Sequence, residues 1–176
     1  MLDSTWIVGE KEDGRIKARL CVKGCQEEVD PRSDSPTAAK DSMKMFLTIT
    51  ANERFKMKSL DVTLTFLHGS PLERDVFVAP PEEKEKDGII WKLKKSCYGL
   101  YNASRKWFLA VREQLMELGM TNLSGDDAFF YKIKKDQLDG ICILHVDDFL
   151  ISSSEEFHKE VSRKLKGRFI FGKVEI

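Results

Sequence analysis

The residues best suited to chemistry in this chain are acidic, and they sit where acids are least at home. In LHVDDFLI, residues 144–151, Asp147 and Asp148 stand side by side inside an otherwise almost wholly apolar run. A third acid, Asp61, interrupts KSLDVTLTFLHG, on the face opposite Leu60, Val62 and Leu64 of a strand. Aspartate is depleted in strands, so its presence asks for a reason; the plain one is an exposed strand face. The doublet has three readings. It can form the corner of a tight hairpin, because Asp tolerates turn geometry and bonds its own backbone. It can belong to a calcium site, although the chain lacks the oxygen-rich, glycine-containing loop of such sites. Or it can hold catalytic divalent metal together with a further carboxylate, for which Asp61 is the candidate. Carboxylates held close repel and drive one pKa upward unless cations neutralise them. Two Mg2+ ions about 3.5–4 Å apart would turn that liability into a phosphoryl-transfer centre.

Several elements must position these acids. RIKARLCVKG, residues 15–24, alternates: Ile16, Ala18, Leu20 and Val22 point one way, Lys17, Arg19, Cys21 and Lys23 the other. That pattern predicts a half-buried strand with a cationic open face. SPTAAKDSMKMFLTITANER predicts a helix opened by Ser35-Pro36, with Ala39, Met43, Phe46, Leu47 and Thr50 at helical spacing. The Asp61 strand should run into a turn at Gly69-Ser70-Pro71. ERDVFVAPPEEKEKDGIIWKLKKS reads as two short strands joined by a charged loop. A long helix is expected from about Ala103 to Leu118, with Trp107, Val111, Leu115 and Leu118 on one stripe and Gly119 at its end. AFFYKIKKDQLDGICILHV predicts a hairpin turning at Asp139-Gly140 or at the polar residues just before. SSSEEFHKEVSRKLKG predicts a helix capped by Ser153 with Glu156, striped by Phe157, Val161 and Leu165, and stopped by Gly167. Helices alternating with antiparallel strands make the fold class α+β.

The chain has 176 residues, enough for one domain with a real core, and its 41% apolar content excludes a disordered tail. Lys+Arg and Asp+Glu both number 29, so the net charge names no partner. The distribution says more. Lys92, Lys94, Lys95, Arg105, Lys106 and Arg112 fall between Trp91 and Arg112 with no acid among them. Lys159, Arg163, Lys164, Lys166, Arg168 and Lys173 cluster later, against Glu160. Such stretches either are solvated faces or make a local positive surface for a polyanion. Cys21, Cys25, Cys97 and Cys142 show no metal-site spacing beyond a lone C-x3-C, and Cys142 reads as a small buried hydrophobe. With no signal peptide and no apolar run of about 18 residues, the expectation is a soluble, intracellular protein with reduced thiols and no membrane contact.

LDVTLTFLHG, KKSCYGLYNASRKW and LHVDDFLI occur in the order and at about the separations found in copia-type LTR-retrotransposon reverse transcriptases. ARLCVKGCQ, DSPTAAK and VFVAPPE also look like that family, so the resemblance runs from about Trp6 to Phe171. It implies a single reverse-transcriptase-like domain over 1–176, the fingers–palm portion of a right-hand polymerase. Fingers would cover about 1–56 and 69–106, and palm about 57–68 and 107–176, with an antiparallel palm sheet packed on helices and the thumb absent. The implied activity is RNA-directed DNA polymerisation, adding deoxynucleotides to a primer on an RNA or DNA template. Asp61, Asp147 and Asp148 match the carboxylates that hold two Mg2+ ions, with Mn2+ as a substitute. Phe66 matches the aromatic that rejects a 2′-hydroxyl. Arg19, and more weakly Lys17, match cations that meet the incoming triphosphate; Asn102 falls where the family's Gln meets the nucleotide; Lys94, Lys95 and Arg105 would contact template or phosphates. Partners would be template-primer, dNTPs and the remainder of a Pol polyprotein, in the cytoplasm, in a virus-like particle or in the nucleus. His145 stands where Tyr is frequent and is read as a packing residue; Ser104 replaces Pro, and Thr63-Leu64-Thr65 replaces Lys-x-Ala. The early stop of the chain, before any primer grip, leaves a second expectation: an inactive retrotransposon remnant that binds nucleic acid or protein.

Overall fold

The computed structural model describes residues 1–27, 33–84, 88–146 and 148–175. Among them, three α-helices join ten strands, and every ladder between strands is antiparallel, giving the expected α+β class. Contacts divide the chain into two compact units, Met1–Asp34 with Phe66–Trp107 and Ser35–Thr65 with Phe108–Ile176. Residues 35–56, which the sequence grouped with the first portion, thus pack in the second unit.

In the first unit, β1 (Ser4–Glu10) and β2 (Ile16–Val22) form a two-stranded ribbon in which Trp6 pairs with Leu20 and Val8 with Ala18. The sequence showed β2 but not β1. It also expected Ile16, Ala18, Leu20 and Val22 to be covered, yet Val22 alone is buried and Ile16 is 68% exposed. A ribbon with no layer packed on its outer half can bury side chains at its base and not at its tip. β4 (Pro71–Val78) and β5 (Trp91–Lys95) are the expected pair of short strands. Leu2 is tied to β4 by its N–H to the Phe77 carbonyl (2.9 Å) and its carbonyl to the Ala79 N–H (2.8 Å). The core here joins Leu2, Val22, Val76, Val78, Cys97, Leu100 and Ala103, flanked by Phe66, Leu72 and Leu93.

The second unit is built on a six-stranded sheet in the order β10-β3-β9-β8-β7-β6. Its strands are β3 (Lys56–Val62), β6 (Thr121–Leu123), β7 (Asp126–Lys134), β8 (Gln137–His145), β9 (Asp148–Ser153) and β10 (Phe171–Glu175). Three helices accompany them: α1 (Lys40–Glu53), α3 (Glu155–Arg168) and residues 108–117 of α2 (Ala103–Glu117). Phe46 of α1 packs on Phe129, Ile141 and Ile143, which sets α1 on one face of the sheet. Ser153, 3.5 Å from His158 Nδ1 on α3, and its ladder partner Gly140 belong to the other face. The central strands are therefore covered on both sides, which is why β8 reads as an apolar run rather than an alternation.

Local details depart from expectation where tertiary partners outbid local signals. α1 begins at Lys40, not at Ser35-Pro36; the exposed Ala39 N–H is met by Asp126 Oδ2 at 2.9 Å, a partner distant in sequence. Its inward stripe is Ser42, Met45, Phe46 and Ile49, while Leu47 is 48% exposed. The β7–β8 hairpin turns at Lys135-Asp136, both with positive φ (51° and 60°), so Asp139-Gly140 lie inside β8; the polar residues just before them make the corner. The α3 cap is Ser154, because Ser153 is spent in the ladder opposite Lys56 and Gly140. Gly167 lies within α3 rather than ending it. α2 matches its expected stripe, with Trp107, Val111, Leu115 and Leu118 all buried.

Candidate active site

Asp61 and Asp148 come together. They are direct Cα partners in the antiparallel β3–β9 ladder, and His145 pairs with Asp148 in turn across β8–β9. Opposite residues in an antiparallel ladder project on the same face with Cβ atoms about 4.5–5.5 Å apart. His145, Asp148 and Asp61 therefore form one transverse row over three strands, and all three are exposed. The row lies on the α1 side of the sheet, two residues along β9 from Leu150, which packs beside Phe46. His145 is thus an exposed neighbour of the acids and not the packing residue expected. Asp147 lies outside the described residues.

The backbone at both strand ends is strained. Leu64 (φ 58°), three residues after Asp61, and Val146 (φ 54°), two before Asp148, occupy the left-handed region. A branched side chain such as valine's is a genuine outlier there, and conformations of this kind persist only where surrounding structure enforces them. Beside Asp61, an ideal Cβ built on Gly172 of β10 would stand 3.0 Å from Asp61 Oδ2 and 3.1 Å from Thr63 Oγ1. The Asp61 carboxylate thus lies over bare backbone, a feature no periodicity in the sequence signals.

Could these residues hold divalent metal? Carboxylate oxygens are hard donors of the kind Mg2+ and Mn2+ prefer, and two exposed like charges on adjacent strands gain from a bridging cation. The described residues contain no group of three His, Cys, Asp or Glu side chains arranged around an ion. Their contribution is the Asp61–Asp148 pair, and the donor types fit. The cysteines do not compete. Burial, with Cys21 and Glu27 nearby, pushes the Cys97 thiol up to about 11, and burial raises Cys142 far above its ordinary range.

The first unit gathers a second group of chemistry-bearing residues. The Arg19 guanidinium lies over the Tyr98 ring, 5.2 Å from its centroid. Phe66 meets the same ring edge-on at 4.9 Å and 69°. Arg19 and Phe66 were expected to matter; Tyr98, which joins them, was visible only as the first letter of Tyr-Gly-Leu. Lys17 is exposed further out on β2. Asn102 is buried at 9% exposure, with its side-chain carbonyl lacking a hydrogen-bond partner among the described residues. Of the first basic stretch, Lys92 pairs with Asp75 (2.7 Å), Arg105 with Asp34 (3.9 Å) and Lys106 with Glu73 (3.6 Å). Lys94 and Lys95 are exposed and make no ion pair among the described residues. In the later stretch, Lys159 pairs with Glu155 and Lys164 with Glu117. Five cations of the two stretches thus have acidic partners among the described residues. No helix among the described residues is long and apolar enough to cross a membrane.

Comparison with known proteins gives the class. The family model described as reverse transcriptase (RNA-dependent DNA polymerase) matches residues 1–174. The chain belongs to this reverse transcriptase family, in its copia-type retrotransposon branch. It is 32% identical over 177 residues to the retrovirus-related Pol polyprotein from transposon TNT 1-94 of Nicotiana tabacum, covering 94% of this chain and 13% of that protein. To the Pol polyprotein from transposon RE1 of Arabidopsis thaliana it is 30% identical, covering 85% of this chain and 11% of the relative. To the transposon Ty1-ER2 Gag-Pol polyprotein of Saccharomyces cerevisiae it is 24% identical over 96% of this chain and 10% of the relative. The chain therefore spans about an eighth or less of the length of these relatives.

Proposed function

We propose that this chain is the fingers and palm portion of an RNA-directed DNA polymerase, acting on template-primer and deoxynucleoside triphosphates as part of a longer Pol polyprotein in the cell interior. The observation that carries the reading is the Asp61–Asp148 pairing: two acids 87 positions apart in sequence, matching two of the family's three catalytic carboxylates, are immediate neighbours across a ladder. Asp61, Asp148 and Asp147 would hold two Mg2+ ions. When bound, those ions supply a lowered pKa for the primer 3′-hydroxyl and charge neutralisation for the triphosphate and the departing pyrophosphate. Asp61 and Asp148 would present their ligand oxygens from strands rather than from a loop. Arg19 would meet triphosphate oxygens with its N–H edge, a geometry a guanidinium supplies better than an ammonium, and Lys17 would add charge nearby. Phe66 would abut the sugar and disfavour a 2′-hydroxyl. Lys94 and Lys95 would contact nucleic-acid phosphates in a salt-dependent way, with Arg105 also facing the nucleic acid. Asn102, from its buried position, would support the Tyr-Gly-Leu segment and offer its amide to the nucleotide.

Primer extension on a homopolymer template with Mg2+ or Mn2+ tests this. The wild-type chain should extend the primer, and Asp148→Asn or Asp61→Asn should lower the rate by at least about a hundredfold while leaving the melting temperature nearly unchanged, since each removes several kcal/mol of charge stabilisation in the transition state. Electron paramagnetic resonance should show Mn2+ binding lost in the same variants. Equal extension by wild type and variants, or none by any of them at concentrations where nucleic acid is bound, would defeat the proposal.

A further inference from the structure

Two motifs, Val22-Lys23-Gly24 and Tyr98-Gly99-Leu100, have no part in the chemistry described so far, yet the structure presses them together. The Val22 N–H donates to the Tyr98 carbonyl at 2.8 Å. Gly99 sits at φ 88°, and a Cβ there would fall 2.0 Å from the Val22 carbonyl oxygen. A Cβ on Gly24 would fall 2.0 Å from the Gly99 carbonyl oxygen. Backbone meets backbone at distances no other residue permits, so the Tyr98 backbone is fixed to the base of β2. Arg19 lies on the same strand, three residues from Val22. Its guanidinium reaches the ring face, while Phe66 makes a T-shaped contact with the same ring.

Stacking on a ring occupies the face of a guanidinium and leaves its N–H edge open. Arg19 makes no ion pair among the described residues, and its guanidinium lies against this ring. The aromatic contact restricts Phe66, which T-shaped geometry holds more firmly than area alone would. One side chain therefore touches both residues assigned above to the incoming nucleotide, the cation and the aromatic wall.

We propose that Tyr98 is a positioning residue: its ring holds Arg19 through a cation–π contact and Phe66 through a T-shaped one, so that triphosphate binding and sugar choice are set by a single ring anchored on the Gly24–Gly99 contact. The roles of Arg19 and Phe66 come from the proposed function; the clamp itself is a statement about geometry. The prediction concerns the ring and not the hydroxyl, so Tyr98→Phe should behave as wild type and Tyr98→Leu should not.

Two measurements on the same variants test it. In NMR spectra of the arginine-labelled chain, with Arg19 assigned through Arg19→Lys, the Arg19 side-chain resonances should be shifted upfield by the ring. They should stay shifted in Tyr98→Phe and return to ordinary values in Tyr98→Leu. In steady-state extension, Tyr98→Leu should raise the KM for the dNTP by about tenfold, change kcat by less than about threefold, and erode the preference for deoxy over ribo substrates. Unshifted Arg19 resonances in the wild type would overturn the proposal, and they can be read even if Tyr98→Leu fails to fold. So would a Tyr98→Leu chain of normal melting temperature that keeps both KM and sugar preference. Absence of extension from the wild type counts against the proposed function instead, and the Arg19 resonances then decide the clamp alone.

Discussion

The Asp61 carboxylate owes its freedom to a neighbour that has no side chain. Phe171 pairs with Val62 in the β10–β3 ladder, which brings Gly172 beside Asp61. Adding one carbon at 172 puts it 3.0 Å from Oδ2, and a side chain as short as aspartate's can relieve that by rotating away and not by lengthening. Displacements of about 1 Å in a reacting constellation cost up to about a hundredfold in rate. Gly172→Ala should therefore weaken Mn2+ binding measured by electron paramagnetic resonance and slow single-turnover extension by about tenfold or more, with the melting temperature close to wild type. Unaltered Mn2+ affinity would show that the carboxylate has room to spare. At this scale the acids were legible in the sequence because Asp inside an apolar run is chemically conspicuous. Gly172 and Tyr98 were not, because their significance lies in what stands beside them after folding. Tyr98 in particular looks like any aromatic near a turn until Arg19 and Phe66 are seen against it.

At the level of elements, strong periodicity translated directly. The stripe of α2 and the β7–β8 pairing survive because local pattern and tertiary packing ask for the same thing. Boundaries shifted wherever a long-range partner intervened. α3 is the clearest case: Ser153 with Glu156 looks like a capping pair, but Ser153 completes β9 and the cap passes to Ser154. The Ser154 hydroxyl accepts from the Phe157 N–H at 3.2 Å and donates to Asp139 Oδ1 at 2.6 Å, while its own N–H reaches the Asp139 carbonyl. Ser154→Ala removes an N-cap and leaves Asp139 without that donor, so urea unfolding should show a loss of about 1–2 kcal/mol. A loss within error would mean that the helix is held by packing of Phe157, Val161 and Leu165 alone. β1, β6 and β10 escaped the sequence reading for a related reason. They are short or lie at the ends of their sheets, and their register comes from the strand beside them rather than from their own alternation.

For the molecule as a whole, zero net charge conceals extensive local pairing, and the residue that ties stability to mild acidity is a histidine. His158 is buried, its Nε2 has no hydrogen-bond partner among the described residues, and its Nδ1 lies 3.5 Å from Ser153 Oγ. Burial, reinforced by Lys58 and Lys56, holds its pKa below the ordinary value of 6.5. The unfolded chain thus takes up a proton at a pH where the folded chain does not. The stability contribution is complete above the unfolded pKa and is lost as the pH falls from there through the folded pKa. Melting temperature should drop as the pH falls below the ordinary histidine value of 6.5, and His158→Leu should flatten that part of the profile. Parallel profiles for the two proteins would locate the acid sensitivity elsewhere.

The glycine-to-glycine contact at the ribbon base also constrains how this protein can be altered. Positions 24 and 99 are remote in the gene, yet a methyl group at 24 would meet the Gly99 carbonyl oxygen and one at 99 the Val22 carbonyl oxygen, backbone atoms that no trimming of a side chain can move aside. Laboratory diversification that samples the two codons, singly or jointly, should yield few folded survivors. Productive variation of the same unit lies instead along the ribbon, where Ile7, Val8 and Ile16 face water.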